Sequence, residues 1–118
     1  MPKDPTIAIR DCLVEIAVLH EIEARMTIET FRTDVITRRA AAYAIQTISE
    51  AVRQLPQEWL DDFPLQPWPQ IRAIGNRIRH EYFRLDYAIL WTIITSEAHA
   101  LKAVMESMFA RHASGTGA

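Results

Sequence analysis

One short stretch of the sequence combines the residue types that acid–base chemistry on a phosphate ester requires. It runs from Gly75 to Tyr82 and reads Gly-Asn-Arg-Ile-Arg-His-Glu-Tyr, with Arg72 and Arg84 on either side. Histidine exchanges protons near neutral pH, and arginine presents a planar fork of donors that fits phosphate oxygens. Cleavage of a phosphodiester by its own 2′-hydroxyl needs a proton donor or acceptor beside positive charge. We therefore interpret His80 as a candidate acid–base residue.

The spacing of this stretch predicts a helix with two different faces. At about 100° per residue, the isoleucines lie on one side and the polar residues on the other. The polar face contains no lysine and consists of Arg72, Asn76, Arg77, Arg79, His80 and Arg84. Arg72 and Arg79 lie within about 20° of each other on this wheel and flank Asn76. A solvated polar face is the plainer interpretation, but the choice of arginine over lysine favours phosphate binding.

Metal and thiol chemistry are not predicted. The four histidines, at positions 20, 80, 99 and 112, include no pair with the three-to-five-residue spacing of a zinc site. Cys12 is the single cysteine and lies in an apolar helical pattern, so we expect it to be buried rather than reactive. We expect no cofactor and no metal.

Composition bounds the type of protein. The chain has 118 residues, of which 49% are hydrophobic and 24% charged, as in one folded domain. Gly75 is the only glycine before the last four residues, which favours long helices over a turn-rich β fold. The net charge of −2 does not by itself indicate a nucleic-acid or membrane partner. With no signal-peptide pattern and no apolar run of about 20 residues, we expect a cytoplasmic protein.

Helical spacing of apolar residues predicts an all-α fold, a four-helix up-down bundle. The first long helix begins at Asp4-Pro5 and continues to about residue 26, with a short helix before residue 34. The second covers residues 35–55, and the third runs from about residue 69 to residue 82 or 83. Asp86 caps the fourth.

A proline- and tryptophan-rich connection precedes the third helix. Residues 56–69 contain four of the six prolines together with Trp59, Phe63 and Trp68, which predicts a structured connection with one helical turn near Trp59. We predict a single domain over residues 1–112 and a disordered tail over residues 113–118.

These elements resemble a known family. Residues 76–86 read Asn-Arg-Ile-Arg-His-Glu-Tyr-Phe-Arg-Leu-Asp, follow Pro67-Trp68 and precede a long amphipathic helix with Trp91. This is similar to the signature of the HepT-like branch of the HEPN superfamily, and the order of elements matches over nearly the whole chain. The resemblance implies a helical, metal-independent ribonuclease, usually a homodimer, that is the toxin of a toxin–antitoxin pair. The implied partner is a minimal nucleotidyltransferase, and the implied substrate is RNA.

The resemblance also implies roles for individual residues. His80 matches the family's catalytic histidine and Asn76 its polar residue. Tyr82 matches the tyrosine that the nucleotidyltransferase adenylylates in some members. In a regular helix Tyr82 points about 200° away from His80, so either the helix ends between them or Tyr82 is a core residue.

The sequence departs from the family at one position. The motif arginine lies five residues before the histidine, where this chain has Gly75. Either Arg77, Arg72 or Arg79 substitutes, with Arg72 and Arg79 preferred for binding RNA phosphate, or the ribonuclease activity is weak or absent. In the second case the chain is a helical module that binds the nucleotidyltransferase and is its substrate. A third hypothesis is a four-helix interaction protein whose basic face is exposed to solvent. Gly75 itself could allow another helix to approach closely.

Overall fold

The computed structural model describes residues 4–113, and all the regular elements in this range are helical. In chain order they are α1 (Pro5–Arg25), α2 (Ile28–Thr33), α3 (Val35–Arg53), α4 (Gln57–Asp61), α5 (Trp68–Glu81), a 3-10 turn (Tyr82–Arg84), α6 (Tyr87–Thr92), a π-helical turn (Ile93–Glu97) and α7 (Ala98–Ala113). The all-α class and the positions of the long helices are confirmed. The predicted turn near Trp59 is α4.

The helices begin where the capping residues predict. The Asp4 carboxylate accepts a hydrogen bond from the Thr6 amide at 3.0 Å, and Pro5 occupies the first helical position. The Asp86 carboxylate accepts from the Ala88 amide at 2.9 Å in the same way. Both predicted caps are therefore confirmed.

The last long helix is continuous but not regular. A π-helical turn interrupts it between α6 and α7, where the sequence pattern predicted one uniform helix. Its buried side chains still lie on one face, namely Leu90, Ile94, Ala98, Leu101, Met105 and Met108. The Thr95 hydroxyl donates to the Trp91 carbonyl at 2.8 Å within this segment.

The core lies between α1, α3 and α7. α1 packs against both α3 and α7. Arg10 lies over the Phe109 ring near one end of the α1–α7 contact. Near the other end, Glu23 pairs with His99, so the two helices are antiparallel. The predicted burial of Cys12 is confirmed, since its side chain is 1% exposed within this core.

One side of the bundle is open. α5 packs against α3, whereas a groove of about 420 Å³ separates α5 from the α6–α7 segment. The floor and walls of this groove are mostly apolar and include Leu19, Ile45, Ile48, Ile71, Ile74 and Leu101.

The connection before α5 is fixed by its aromatic residues, as predicted. The Trp68 indole donates to the carbonyls of Leu60 at 3.1 Å and Phe63 at 3.0 Å. Asp62 forms an ion pair with Arg111 of α7, with 3.0 Å between the carboxylate oxygen and the guanidinium nitrogen. These contacts hold the start of α5 against the rest of the molecule.

The structure bears on the predicted end of the domain and on the predicted absence of a membrane-spanning helix. α7 includes Ala113, the first residue of the predicted tail, and residues 114–118 lie outside the described residues. Across residues 4–113, no helix has the length and apolar character needed to span a bilayer.

Candidate functional site

The site is built on the contact between α3 and α5, which is unusually close at Gly75. A Cβ atom at this position would lie 2.5 Å from the Ser49 Oγ and 2.8 Å from the Ser49 Cβ. Ser49 is itself buried, and its hydroxyl donates to the Arg72 carbonyl at 3.0 Å. The interpretation of Gly75 as a close-approach residue is therefore confirmed, and a motif arginine has no space here while Ser49 remains in place.

Arginines from both helices meet along this contact, which we call the α3–α5 seam. Arg53 of α3 donates to the Arg72 carbonyl at 2.7 Å. Arg79 forms an ion pair with Glu50, also of α3. Nearer the end of α5, the Arg39 guanidinium lies 5.9 Å from the centre of the Tyr82 ring. The order of these contacts along the two helices shows that they are antiparallel.

Asn76 and His80 lie on the exposed side of α5 next to the seam. Both side chains are exposed, and they are one helical turn apart, about 40° around the helix axis. Among the described residues, the His80 ring has no hydrogen-bonding partner. Its two nitrogens are therefore accessible to a substrate, as acid–base chemistry requires.

The predicted arginines do not all lie together. Arg79 pairs with Glu50 on the seam, and the Arg72 carbonyl accepts bonds from α3 there, whereas Arg77 is on the opposite side of α5 and lines the apolar groove with Glu97. The separation follows from the helix, since Arg77 lies about 160° from Arg79 around the axis. Of the predicted site residues on α5, the structure thus brings Arg72, Asn76, Arg79 and His80 to one side.

The structure shows features of both alternatives considered for Tyr82: α5 ends just before it, and its ring packs against the hydrophobic core. Glu81 has φ −134° and ψ 23°, outside the helical region, and a 3-10 turn begins at Tyr82. The Tyr82 ring is half-buried and meets the Phe83 ring edge-on at 5.5 Å. Its direction is therefore not the one that a continuing α-helix would impose.

Sequence reasoning missed the contribution of α3. Arg39, Glu50 and Arg53 all take part in the seam, but they were not among the predicted site residues. A signal was present, because they belong to a polar stripe with helical spacing that also includes Tyr43 and Gln46. Nothing in that stripe alone indicates that it faces the motif helix.

The other histidines are engaged in packing. His20 and His99 stack with ring centres 4.3 Å apart, and the His99 Nε2 is 2.6 Å from a Glu23 carboxylate oxygen. His112 stacks on Trp59 at 3.7 Å. In the part of the chain that the structure describes, no three His, Cys, Asp or Glu residues are arranged to hold a metal ion.

Several known proteins named as ribonucleases are similar in sequence to this chain over most of its length. The chain is 31% identical over 100 residues to a proposed RNase of Caldanaerobacter subterraneus subsp. tengcongensis, covering 85% of this chain and 89% of that protein. It is 29% identical to a proposed RNase of Methanocaldococcus jannaschii, covering 82% of this chain and 81% of that protein. It is 25% identical to the probable ribonuclease HepT of Thermococcus cleftensis, covering 85% and 91%.

No solved structure was found to match this chain. The family described as ribonuclease HepT-like matches residues 12–108, which include the α3–α5 seam, with all of α5, and most of the last long helix. On this match, the chain belongs to the ribonuclease HepT-like family.

Proposed function

We propose that this protein is a metal-independent ribonuclease in which His80 carries out acid–base chemistry. Membership of the HepT-like family and similarity to proteins named as ribonucleases support a ribonuclease-type function. The observation that carries the proposal is the exposed pair of Asn76 and His80 beside arginines of the α3–α5 seam. These are the groups that bind a phosphodiester and move a proton next to it.

The proposed reaction uses the RNA's own 2′-hydroxyl as nucleophile. The 2′ oxygen attacks the adjacent phosphorus, the bond from phosphorus to the 5′ oxygen breaks, and the products carry a 2′,3′-cyclic phosphate and a 5′-hydroxyl. Neutral His80 accepts the 2′ proton, or protonated His80 donates to the leaving oxygen. Arg72 and Arg79 stabilise the negative charge that develops on the phosphorane.

A homodimer would complete this site. One His80 supplies one proton transfer, whereas two motif helices facing each other supply both a base and an acid. Exposed apolar side chains near the seam support such an interface, since Ile36 is 81%, Tyr43 69% and Phe83 88% exposed. A dimer is expected by analytical ultracentrifugation at micromolar concentration, and a monomer with and without the nucleotidyltransferase would contradict the proposal.

Cleavage of a fluorescent single-stranded RNA tests the ribonuclease directly. Activity is expected to persist in EDTA, to leave cyclic phosphate ends, and to disappear in His80→Ala. His99→Ala is the matched control, because it removes an exposed histidine that pairs with Glu23 away from α5. Loss of activity on chelation alone, or full activity in His80→Ala, would refute the mechanism.

The toxin–antitoxin role is part of the same proposal. We place this chain as the toxin and a minimal nucleotidyltransferase as its antitoxin, which would transfer AMP to Tyr82. Partial exposure of Tyr82 supports this, because its ring packs against the core at the end of α5 but is not fully buried. A modified Tyr82 would bring negative phosphate close to the arginines that bind RNA. The partner with ATP should add nucleotide mass to the wild type but not to Tyr82→Phe.

A second candidate is a catalytically weak or inactive module that binds the nucleotidyltransferase and is its adenylylation substrate. Two observations favour it: Gly75 occupies the position of the motif arginine, and Arg79 is already paired with Glu50. Adenylylation of Tyr82 in a protein that leaves RNA intact would support this candidate over the ribonuclease.

A further inference from the structure

Glu50 is a carboxylate at the middle of an otherwise basic surface. It pairs with Arg79, and the two side chains are 46% and 48% exposed. Arg53, one turn further along α3, binds the Arg72 carbonyl on the facing helix. Glu50 therefore contacts one of the arginines that face the exposed side of the seam.

A carboxylate and a phosphate compete for the same donors of a guanidinium. A carboxylate and the two non-bridging oxygens of a phosphodiester each present a pair of anionic oxygens that accept paired N–H bonds from arginine. We propose that Glu50 is an affinity- and selectivity-setting residue, which occupies Arg79 until an RNA phosphate displaces it. This inference rests on the proposed function, because it concerns the same RNA-binding surface.

The competition makes the site selective for a strand over a lone anion. An isolated anion that displaces Glu50 exchanges one ion pair for another and gains little. A strand that also places phosphates near Arg53 and Arg72 gains these contacts in addition. The bound form of a strand is then favoured by several contacts together, and ligands that make a single contact are disfavoured.

The size of the effect follows from the exposure of the pair. Exposed ion pairs contribute little, so removing the Glu50 charge should tighten RNA binding by about two- to fivefold. It should also steepen the dependence of affinity on salt, because Arg79 then exchanges a mobile counterion rather than Glu50. The logarithmic slope should change by less than the roughly 0.7 of one full single-strand phosphate contact.

The test measures binding of an uncleavable strand. The probe is a fluorescent uridine 12-mer with 2′-O-methyl groups, and its anisotropy is titrated at several salt concentrations with wild type and Glu50→Gln. Glu21→Gln is the matched control, since Glu21 also pairs with an arginine, Arg25, at 3.5 Å but lies on α1. Tighter binding and a steeper slope are expected for Glu50→Gln only. Neither change should occur when Arg79→Gln is also present.

The outcomes separate this inference from the proposed function. Equal affinities and slopes for Glu50→Gln and Glu21→Gln would overturn the role of Glu50 while leaving RNA binding established. An effect of Glu50→Gln that is the same without Arg79 would also overturn it, because general charge repulsion would then be the cause. Failure of every variant to bind the probe would overturn both proposals.

Discussion

The substitution Gly75→Ala is expected to destabilise the protein although alanine is the better helix former. The added Cβ would lie 2.5 Å from the Ser49 Oγ, closer than nonbonded atoms approach. Ser49 cannot easily move away, because it is 1% exposed and its hydroxyl is bonded to the Arg72 carbonyl. The two helices would have to separate, and part of their contact would be lost.

Two opposing terms set the magnitude. Overfilling a packed contact typically costs about 2 kcal/mol, within a range of about 1 to 3. Alanine in place of glycine in a helix stabilises by about 1 kcal/mol. The net expectation is a loss of about 1 kcal/mol. For 118 residues this corresponds to a fall in Tm of about 4 °C.

A second background isolates the clash. In Ser49→Gly the obstructing atoms are absent, so Gly75→Ala should there raise the free energy of unfolding by about 1 kcal/mol. Urea unfolding of the four variants gives the coupling, expected at about 2 kcal/mol. Ala73→Gly, at an exposed position of α5, measures the propensity term alone. Identical effects of Gly75→Ala in both backgrounds would show that Ser49 does not limit this position.

The same pair of positions controls whether a motif arginine can be restored. Gly75→Arg alone brings its Cβ against Ser49, whereas the double variant Ser49→Gly, Gly75→Arg removes the side-chain atoms that this Cβ would meet. The double variant should cleave RNA about tenfold or more faster than the wild type, because it adds a cation at the phosphorane. An unchanged cleavage rate in a folded double variant would mean that the arginines of the α3–α5 seam already stabilise the phosphorane.

Three further predictions concern parts of the molecule outside the seam. Burial, and next the charges of His99 and Lys102, lower the pKa of His20 from 6.5, so the unfolded chain binds the proton more readily than the folded protein. The free energy of unfolding should therefore fall as the pH drops below about 6.5. Measured between pH 7 and 5, this fall should be smaller in His20→Gln. Burial, followed by two nearby carboxylates, raises the pKa of Cys12 to about 12, so thiol reagents should label it at pH 8 only on unfolding. Trp68→Phe removes the indole donor from the carbonyls of Leu60 and Phe63, which keep their backbone donors, and should cost about 0.5 to 1.5 kcal/mol in urea unfolding.

The sequence predicted the helices better than the contacts between them. Periodicity and caps located the long helices to within a few residues, because these signals are local and Asp4 and Asp86 bond to their own first turns. Packing between helices is not local. The pairings of Glu50 and Arg53 with α5 depend on how two helices align, which no single stretch of sequence encodes.

The same difference between local signals and contacts between helices applies to the candidate site. His80 and Asn76 were identified because their types and spacing lie on one helix, and the structure leaves both exposed. Arg77 was grouped with them from its position in the sequence, yet it lines the groove on the other side. The role of Gly75 required the facing residue, Ser49, to become clear.

The π-helical turn at Ile93–Glu97 determines where the chain tolerates a change in length. In a regular helix the eight steps from Leu90 to Ala98 rotate by about 800°, which leaves these residues about 80° apart; the extra residue of a π turn reduces the rotation to about 700°, which leaves them about 20° apart. Both can then face the core, as they do. Deleting one residue inside the turn would convert it to ordinary α-helix and leave the buried face of α7 in place. The same deletion within α3 would rotate every later residue of that helix away from its partners. Length variation among related proteins should therefore concentrate in this turn.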